Sequence, residues 1–492
     1  MTYGYDAANR LTSVTDWNLA TVSYAYDDAG RMTAKTLPAG TGVVSSYAYD
    51  DAGRLTGIAH VKDGQTTLAS VAYTLDAVGN RTGRVDEQGT HSYQYDGLYR
   101  LTSVTYPGPS TTGYTFDPFG NRTSMTNSAG TTTYAYDDAD RLTEVQPPSP
   151  APAVGYSWDG NGNLTDRGAD TFAWDYEDRM VSATVNSVTS TFAYRGDGLR
   201  DSRTTGIATT TFTWDINAGL PVVLDDGNRY LYGAGLEAML TATATYYYLA
   251  DGLGSTMAMV DSTGTIEKSY TYDVYGKPTV TGALPNEYDF AAQQTDPTGL
   301  QYLRARYMDP ETGTFISREL LEATPGWTGN PFGYAGANPA RMVDPTGLQP
   351  IDSDGCELAN DACQVRAGSN DPHWGHFVDM VCKAAREGSD SIAYLCNDLV
   401  DALPDFNWGP LLDIRDEVVI RTTRMLMGEY VHNGLVLCSQ DEACRDMVDA
   451  AFQTNRVHSA EVSLFAKGKP GAGATIWLSS QAWEAYKRRY GH

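Results

Sequence analysis

A ten-residue phrase returns through the first part of this 492-residue chain at a spacing of about 20 residues. Its most regular copy is YDDAGRLTGI, which starts at Tyr49. Related copies start at Tyr5, Tyr26, Leu75, Tyr95, Phe116, Tyr136, Trp158 and Trp174. A fixed period of this length is typical of a repeat array, in which each unit contacts mainly its neighbours.

Each copy is predicted to form a strand, a turn and a return strand. The alternation from Ser46 to Tyr49 suits a half-buried strand, because successive side chains face opposite sides. In the turn, the Asp50 carboxylate can accept local backbone N–H groups, and Gly53 can supply a positive φ. Because one hairpin cannot bury its aromatic face alone, the hairpins are expected to stack into one antiparallel array.

Tyrosine is concentrated in the array, since 29 of the 33 tyrosines precede Leu348. We assign them chiefly to packing ladders on one face of the sheet, with glycan binding by this aromatic wall as the alternative. The run VQPPSPAP at residues 145–152 is predicted to be a loop insertion, because the repeats resume directly after it.

The net charge of -26 comes from 35 basic and 61 acidic residues. Such a surface repels phosphate backbones and anionic lipids, which argues against nucleic acid as a whole-surface partner. No run of about 18 apolar residues predicts a membrane span, and the N-terminus has no signal-peptide pattern. Export would therefore use another route or an N-terminal part missing from this chain.

The cysteines lie only in the last part of the chain, after Leu348. An even number in one segment predicts three disulfides and an oxidising compartment, with free buried thiols in a cytosolic domain as the alternative. No CxxC pair suggests a zinc or thioredoxin-like site. The six are Cys356, Cys363, Cys382, Cys396, Cys438 and Cys444.

Two stretches near residue 348 carry a family resemblance. RYMDPETGTFIS from Arg306 to Ser317 and DPTGL from Asp344 to Leu348, together with the YDxxGRLT copies, resemble the RHS repeat-associated core of Rhs/YD-repeat proteins of the polymorphic-toxin type. The resemblance implies that the hairpins spiral into a β-sheet shell, here open or partial. It also implies that the variable segment after DPTGL is a cargo domain, commonly a toxin, held inside the shell.

Self-cleaving members of this family cut the chain just after that motif with an aspartyl-protease-like site. The resemblance assigns Arg306 and Asp344 to this site, and Glu319 stands where relatives carry an aspartate. Two close carboxyl groups, one charged and one protonated, can hydrolyse a peptide bond. The expected cut lies between Leu348 and Gln349. The alternative is that these residues form turns and ion pairs in a plug of the shell.

The resulting prediction has three parts: YD-repeat strands over residues 1–301, a core-associated segment over 302–348 and a variable domain over 349–492. The last is expected to be mainly α or α+β. Apolar spacings predict helices around residues 377–385, 411–432 and 481–490. A hairpin is predicted from residues 461–465 and 474–478. His373 and His376 are weak metal candidates in an HxxH spacing; no cofactor is expected.

Three functions fit these observations. The first is an Rhs-type toxin or its fragment, whose shell encloses or presents an effector domain released by self-cleavage. Its partners would be its own C-terminal domain inside the shell and an immunity protein or target-cell component. The second is a secreted or cell-surface scaffold with a disulfide-rich binding module and no catalysis. The third is a degenerate fragment without cleavage or toxicity. Secretion or surface display is expected, by a route not encoded here.

Overall fold

The structure is a computed structural model that describes residues 1–108, 110–217, 219–320 and 330–352, with three strands further along the chain. It divides into two compact units: residues 1–321 with 329–359, and residues 322–328 with 360–492. In the described residues of the first unit, regular structure consists of strands and three 3-10 helices, Ala39–Thr41, Phe290–Ala292 and Ala335–Ala337.

The first sheet has 21 strands, and each strand pairs antiparallel with the next one along the chain. This meander is the predicted array of hairpins. Its strands are β1 Thr2–Tyr5, β2 Leu11–Thr15, β3 Thr21–Tyr26, β4 Met32–Thr36, β5 Val43–Tyr49, β6 Leu55–Lys62, β7 Thr66–Leu75, β8 Arg81–Asp86, β9 Gly89–Tyr95, β10 Leu101–Tyr106, β11 Ser110–Phe116, β12 Arg122–Asn127, β13 Gly130–Tyr136, β14 Leu142–Gln146, β15 Val154–Trp158, β16 Leu164–Arg167, β17 Asp170–Trp174, β18 Met180–Val185, β19 Val188–Tyr194, β20 Arg200–Thr205 and β21 Ala208–Thr211.

Three smaller sheets complete the unit. An eight-stranded meander and a four-stranded meander follow in sequence, and a last pair of strands flanks the DPTGL motif. Their strands are β22 Thr213–Asp215, β23 Val222–Asp225, β24 Arg229–Tyr232, β25 Leu236–Leu240, β26 Thr245–Ala250, β27 Thr256–Val260, β28 Ile266–Tyr272, β29 Pro278–Thr281, β30 Gln294–Thr295, β31 Gln301–Leu303, β32 Arg306–Asp309, β33 Thr314–Phe315, β34 Met342–Val343 and β35 Ile351–Asp352.

The repeat phrase builds one turn many times. In the copy at Tyr49, Asp50 Oδ1 accepts the backbone N–H groups of Ala52 (3.0 Å) and Arg54 (2.9 Å), and its Oδ2 accepts the Arg54 Nε–H at 2.7 Å. Gly53 closes the turn at φ 79°, which a residue with a Cβ adopts only with strain. The Asp, Gly and Arg of the phrase are thus explained by one turn.

The same phrase also links each hairpin to its neighbours. The Arg54 guanidinium donates to the carbonyl of Asp76 in the following copy at 2.8 Å, and the Tyr49 hydroxyl donates to the carbonyl of Met32 in the preceding copy at 2.8 Å. The Arg31 guanidinium lies over the Tyr49 ring at 5.1 Å, within cation–π range. Stacking of neighbouring units, as predicted, is therefore a property of the repeated residues themselves.

The apolar face of the first sheet packs on strands from the second and third sheets. Residues of β2 and β3 share one core with β24 to β27, and residues of β17 to β19 share another with β24, β31 and β32. Two buried ion-pair groups join the same layers: Lys35 with Glu237 at 2.8 Å, and Arg200 with Asp296 at 2.6 Å. The face that the hairpins could not bury alone is covered by the chain's own later strands.

The proline-rich run is a loop inside the first sheet over most of its length, as predicted. Its first two residues, Val145 and Gln146, are still part of β14, and β14 pairs with β15 through Val145 and Val154. The sheet therefore continues across the loop that begins at Pro147.

In the second unit the structure describes three strands: β36 Leu435–Cys438, β37 His458–Val462 and β38 Ala474–Leu478. The antiparallel pair β37–β38 agrees with the predicted hairpin, although its first strand starts three residues earlier than expected. Strand β36 also pairs with β38 and was not predicted. The predicted helices, the disulfides and the metal candidates His373 and His376 fall outside the described residues or on side chains that are not described. No helix in the described part of the chain is both long and apolar enough to cross a membrane.

Candidate self-cleavage site

The three residues predicted for self-cleavage lie together in the first unit. Arg306 Nη2 is 2.6 Å from Glu319 Oε2 and 3.5 Å from Asp344 Oδ2. All three side chains are buried, with 2, 6 and 1% of their surfaces exposed respectively. Two carboxyl groups from distant parts of the sequence thus share one guanidinium nitrogen.

Asp344 also contacts the expected scissile bond. Its Oδ1 accepts the backbone N–H of Leu348 at 3.0 Å and that of Gln349 at 3.2 Å. The Gln349 nitrogen is the atom that would leave as an amine if the chain were cut after Leu348. One carboxyl group therefore lies within hydrogen-bond distance of the nitrogen of the expected scissile bond.

Several other contacts hold Arg306 in place. Its Nε–H donates to the Gly347 carbonyl, its Nη1–H donates to the Pro331 carbonyl at 3.1 Å, and its guanidinium lies 3.5 Å from the centre of the Phe315 ring. Pro331 and Phe315 were not predicted as site residues. The Pro331 contact uses a backbone carbonyl and the Phe315 contact uses the face of an aromatic ring. Neither kind of contact produces a recognisable sequence motif.

Glycine is required at position 347 by space as well as by conformation. Gly347 has φ 71°, and a Cβ there would lie 2.6 Å from the Leu303 carbonyl oxygen and 2.9 Å from the Arg306 nitrogen. The motif glycine lets the DPTGL turn approach the backbone just before Arg306. This contact brings the junction to the two carboxyl groups.

The two carboxyl groups differ electrostatically. Burial raises the pKa of Asp344, and Arg306 only partly offsets that rise. Burial also lowers the pKa of Arg306, against the attraction of Glu319 and Asp344. Glu319 makes the shorter contact with the guanidinium, which favours its charged form. The arrangement can therefore hold one charged and one protonated carboxyl group.

The junction has an identical copy elsewhere in the sequence. DPTGLQ occurs at 296–301 and again at 344–349. In the first copy both Asp296 oxygens accept from arginines, Arg200 at 2.6 Å and Arg203 at 2.8 Å, and Asp296 N–H donates to the Leu300 carbonyl at 2.9 Å.

In the second copy the described backbone has no hydrogen bond from Asp344 N–H to the Leu348 carbonyl. Asp344 Oδ1 instead faces the amide nitrogens of Leu348 and Gln349. The two copies have the same six residues and differ in the groups that contact their aspartates.

Comparison with known proteins identifies the repeats. The teneurin YD-shell family model matches residues 76–205, and the RHS repeat model matches residues 26–66. The chain is an Rhs/YD-repeat protein. Its antiparallel β architecture is the one expected for that family.

Curated relatives share part of this Rhs/YD-repeat chain. The tRNA nuclease WapA of Bacillus subtilis is 34% identical over 212 residues, which cover 39% of this chain and 9% of the relative. Double-stranded DNA deaminase toxin A of Burkholderia cenocepacia is 27% identical over 197 residues, which cover 36% of this chain and 14% of the relative. The match thus spans less than a sixth of either relative.

Solved structures show the same fold. A crystal structure of TcdB2-TccC3-Cdc42 matches with a TM-score of 0.57 at 20% identity, over 70% of this chain and 20% of that one. A crystal structure of TcdB2-TccC3 matches with a TM-score of 0.53 at 21% identity, over 70% of this chain and 21% of that one. At this identity the likeness describes the fold.

Proposed function

We propose that this chain is an Rhs-type toxin whose β shell presents a C-terminal effector domain and frees it by cutting itself between Leu348 and Gln349. The observation that carries the proposal is the contact of Asp344 Oδ1 with the Gln349 nitrogen, 3.2 Å. The pairing of Arg306 with Glu319 and Asp344 supports it. Two relatives, a tRNA nuclease and a double-stranded DNA deaminase toxin, each match more than a third of this chain.

The proposed reaction is hydrolysis by an acid and a base. Glu319, kept charged by Arg306, takes a proton from a water molecule as its oxygen bonds to the Leu348 carbonyl carbon. Asp344 acts from its protonated form, which burial favours by raising its pKa, and gives its proton to the Gln349 nitrogen as the carbon–nitrogen bond breaks. The products are a carboxylate at Leu348 and an amine at Gln349, and the reaction needs no other reactant.

Intact-mass spectrometry of the purified chain tests this proposal. We expect two fragments, 1–348 and 349–492, and one uncut mass for the E319Q and D344N variants. The matched control is E311Q, because Glu311 is exposed and pairs with Lys277, outside the site. An uncut parent chain would contradict the proposal, as would a cut after Leu300 in the first DPTGLQ copy.

The proposed target of the effector stays open, because the named relatives act on different molecules, tRNA and double-stranded DNA. Similarity to these relatives therefore does not indicate a target for this effector. The proposal includes secretion or surface display and an immunity protein or target-cell component as partner. Expression of the full chain in a bacterial host, with and without export to the periplasm, tests toxicity. Growth arrest that D344N relieves is expected; harmless expression in both compartments would favour the scaffold alternative.

A further inference from the structure

Arg304 occupies an unusual position between β31 and β32, two residues before Arg306. Its backbone lies in the left-handed region at φ 65°, which is strained for a residue with a long side chain. Its side chain is partly buried, and that burial lowers its pKa. None of the ion pairs among the described residues includes Arg304. A strained backbone and a partly buried cation without a carboxylate partner both require compensation from elsewhere.

The compensation comes from neutral oxygens, one of which belongs to the DPTGL motif. Arg304 Nη1 donates to the Pro345 carbonyl at 2.6 Å and to Gln293 Oε1, and its Nε donates to the Pro221 carbonyl at 2.8 Å. Pro345 follows Asp344 directly and lies three residues before Leu348. The positively charged Arg304 side chain thus contacts the backbone of the DPTGL segment, after which the cut is proposed.

The neighbours of Arg304 contact the next carbonyls of the same segment. Ala305 N–H donates to the Thr346 carbonyl at 3.1 Å, and Arg306 Nε–H donates to the Gly347 carbonyl. Three consecutive residues therefore hold three consecutive carbonyls, in order and ending next to Leu348. This fixes the register of the junction relative to Asp344, on which a cut at one defined bond depends.

We propose that Arg304 is a positioning residue for self-cleavage, which holds the Pro345 carbonyl so that the Gln349 nitrogen lies on Asp344. This inference rests on the proposed function. Arg304 takes no part in proton transfer, so its replacement should slow the cut without changing which pH favours it.

Pulse-chase synthesis of the chain in a cell-free system measures the rate of cutting. We expect R304M and R304K to cut about 10²-fold more slowly, because a displacement of about 1 Å at a reacting group has that effect. The pH dependence of the rate should keep its midpoint. The matched control is R122M: Arg122 is buried and also donates to a carbonyl, that of Thr312, away from the junction. R122M should cut at the parent rate.

Hydrogen–deuterium exchange in the uncut E319Q background tests the same contact without cleavage. Adding R304M or R304K should speed exchange of the amides of residues 346–349 and leave the YD turn at Asp50 unchanged. Parent-like cutting by both Arg304 variants, or unchanged exchange at the junction, would overturn the inference. If the parent chain does not cut, the proposed function fails, and the exchange result still decides whether Arg304 holds the junction. R304K retains the charge, so it remains informative if R304M misfolds.

Discussion

Shortening Glu319 to aspartate is the sharpest test of the site, because the family resemblance leads us to expect aspartate at that position. In this chain Glu319 Oε2 already lies 2.6 Å from Arg306 Nη2. Its backbone is fixed nearby, since Glu319 N–H donates to the Pro331 carbonyl at 2.9 Å and Arg306 donates to the same carbonyl at 3.1 Å. Removing one methylene withdraws the carboxylate by about 1.5 Å, and the anchored backbone cannot follow it.

We therefore expect E319D to cut more slowly than the parent by about 10²-fold, which corresponds to about 2.7 kcal/mol in the activation barrier. The rate is measured by pulse-chase synthesis, with the fragment that begins at Gln349 confirmed by mass spectrometry. E311D makes the same chemical change at an exposed glutamate that pairs with Lys277 at 2.5 Å, and it should cut like the parent. Cutting by E319D at or above the parent rate would refute the reasoning, since it would mean that the observed contact is not the working geometry.

Three further predictions concern buried charges. Because burial raises the pKa of Asp344 and the reaction uses its protonated form, the cutting rate should fall as pH rises through that pKa; rates measured over a pH series that starts near the ordinary aspartate value of 3.8 check this. Burial raises the pKa of Asp289 from 3.8 to about 6, so the native state binds the extra proton and stability should fall by about 2–3 kcal/mol as pH rises from about 4 to above 6. Urea unfolding of D289N should lose this dependence. K35M should cost about 3–5 kcal/mol by leaving Glu237 unpaired, whereas K35M/E237Q should cost less than the sum of the single changes.

The hairpin array could be predicted from the sequence because every cause of it is local. Asp50, Gly53 and Arg54 make one turn among themselves, and Tyr49 reaches only to the neighbouring copy. The covering of the inner face could not be predicted in the same way. Lys35 is a residue that a sequence pattern places in solvent, yet it is buried against Glu237 some 200 positions away. No periodicity relates the two.

In the candidate site, too, some residues could be predicted from the sequence and others could not. Arg306, Glu319 and Asp344 could be proposed because family motifs mark their positions, and the structure brings the three together. Arg304 lies two residues before the first motif and was not predicted as a site residue, since its contribution is a contact to a carbonyl rather than an ion pair. The feature that marks Arg304 is its left-handed backbone conformation. The sequence does not reveal this conformation for a residue other than glycine.

The proposed acid of the site shares part of its turn with the repeats, in different surroundings. Asp50 accepts the N–H of the residue four positions later at 2.9 Å, and Asp344 does so at 3.0 Å. In the repeat that later residue is Arg54, whose side chain pairs with the partly exposed aspartate; hydrogen bonds from Arg54 lower the pKa of Asp50.

At the junction the equivalent residue is Leu348, the arginine comes from another strand at 3.5 Å, and burial raises the pKa of Asp344 instead. We expect a carboxyl group that stabilises a turn when paired and partly exposed to serve as a proton donor when the pairing is loosened and burial increases. The proposed cut therefore needs only a variant of the chain's own turn, placed in the core beside a second carboxyl group.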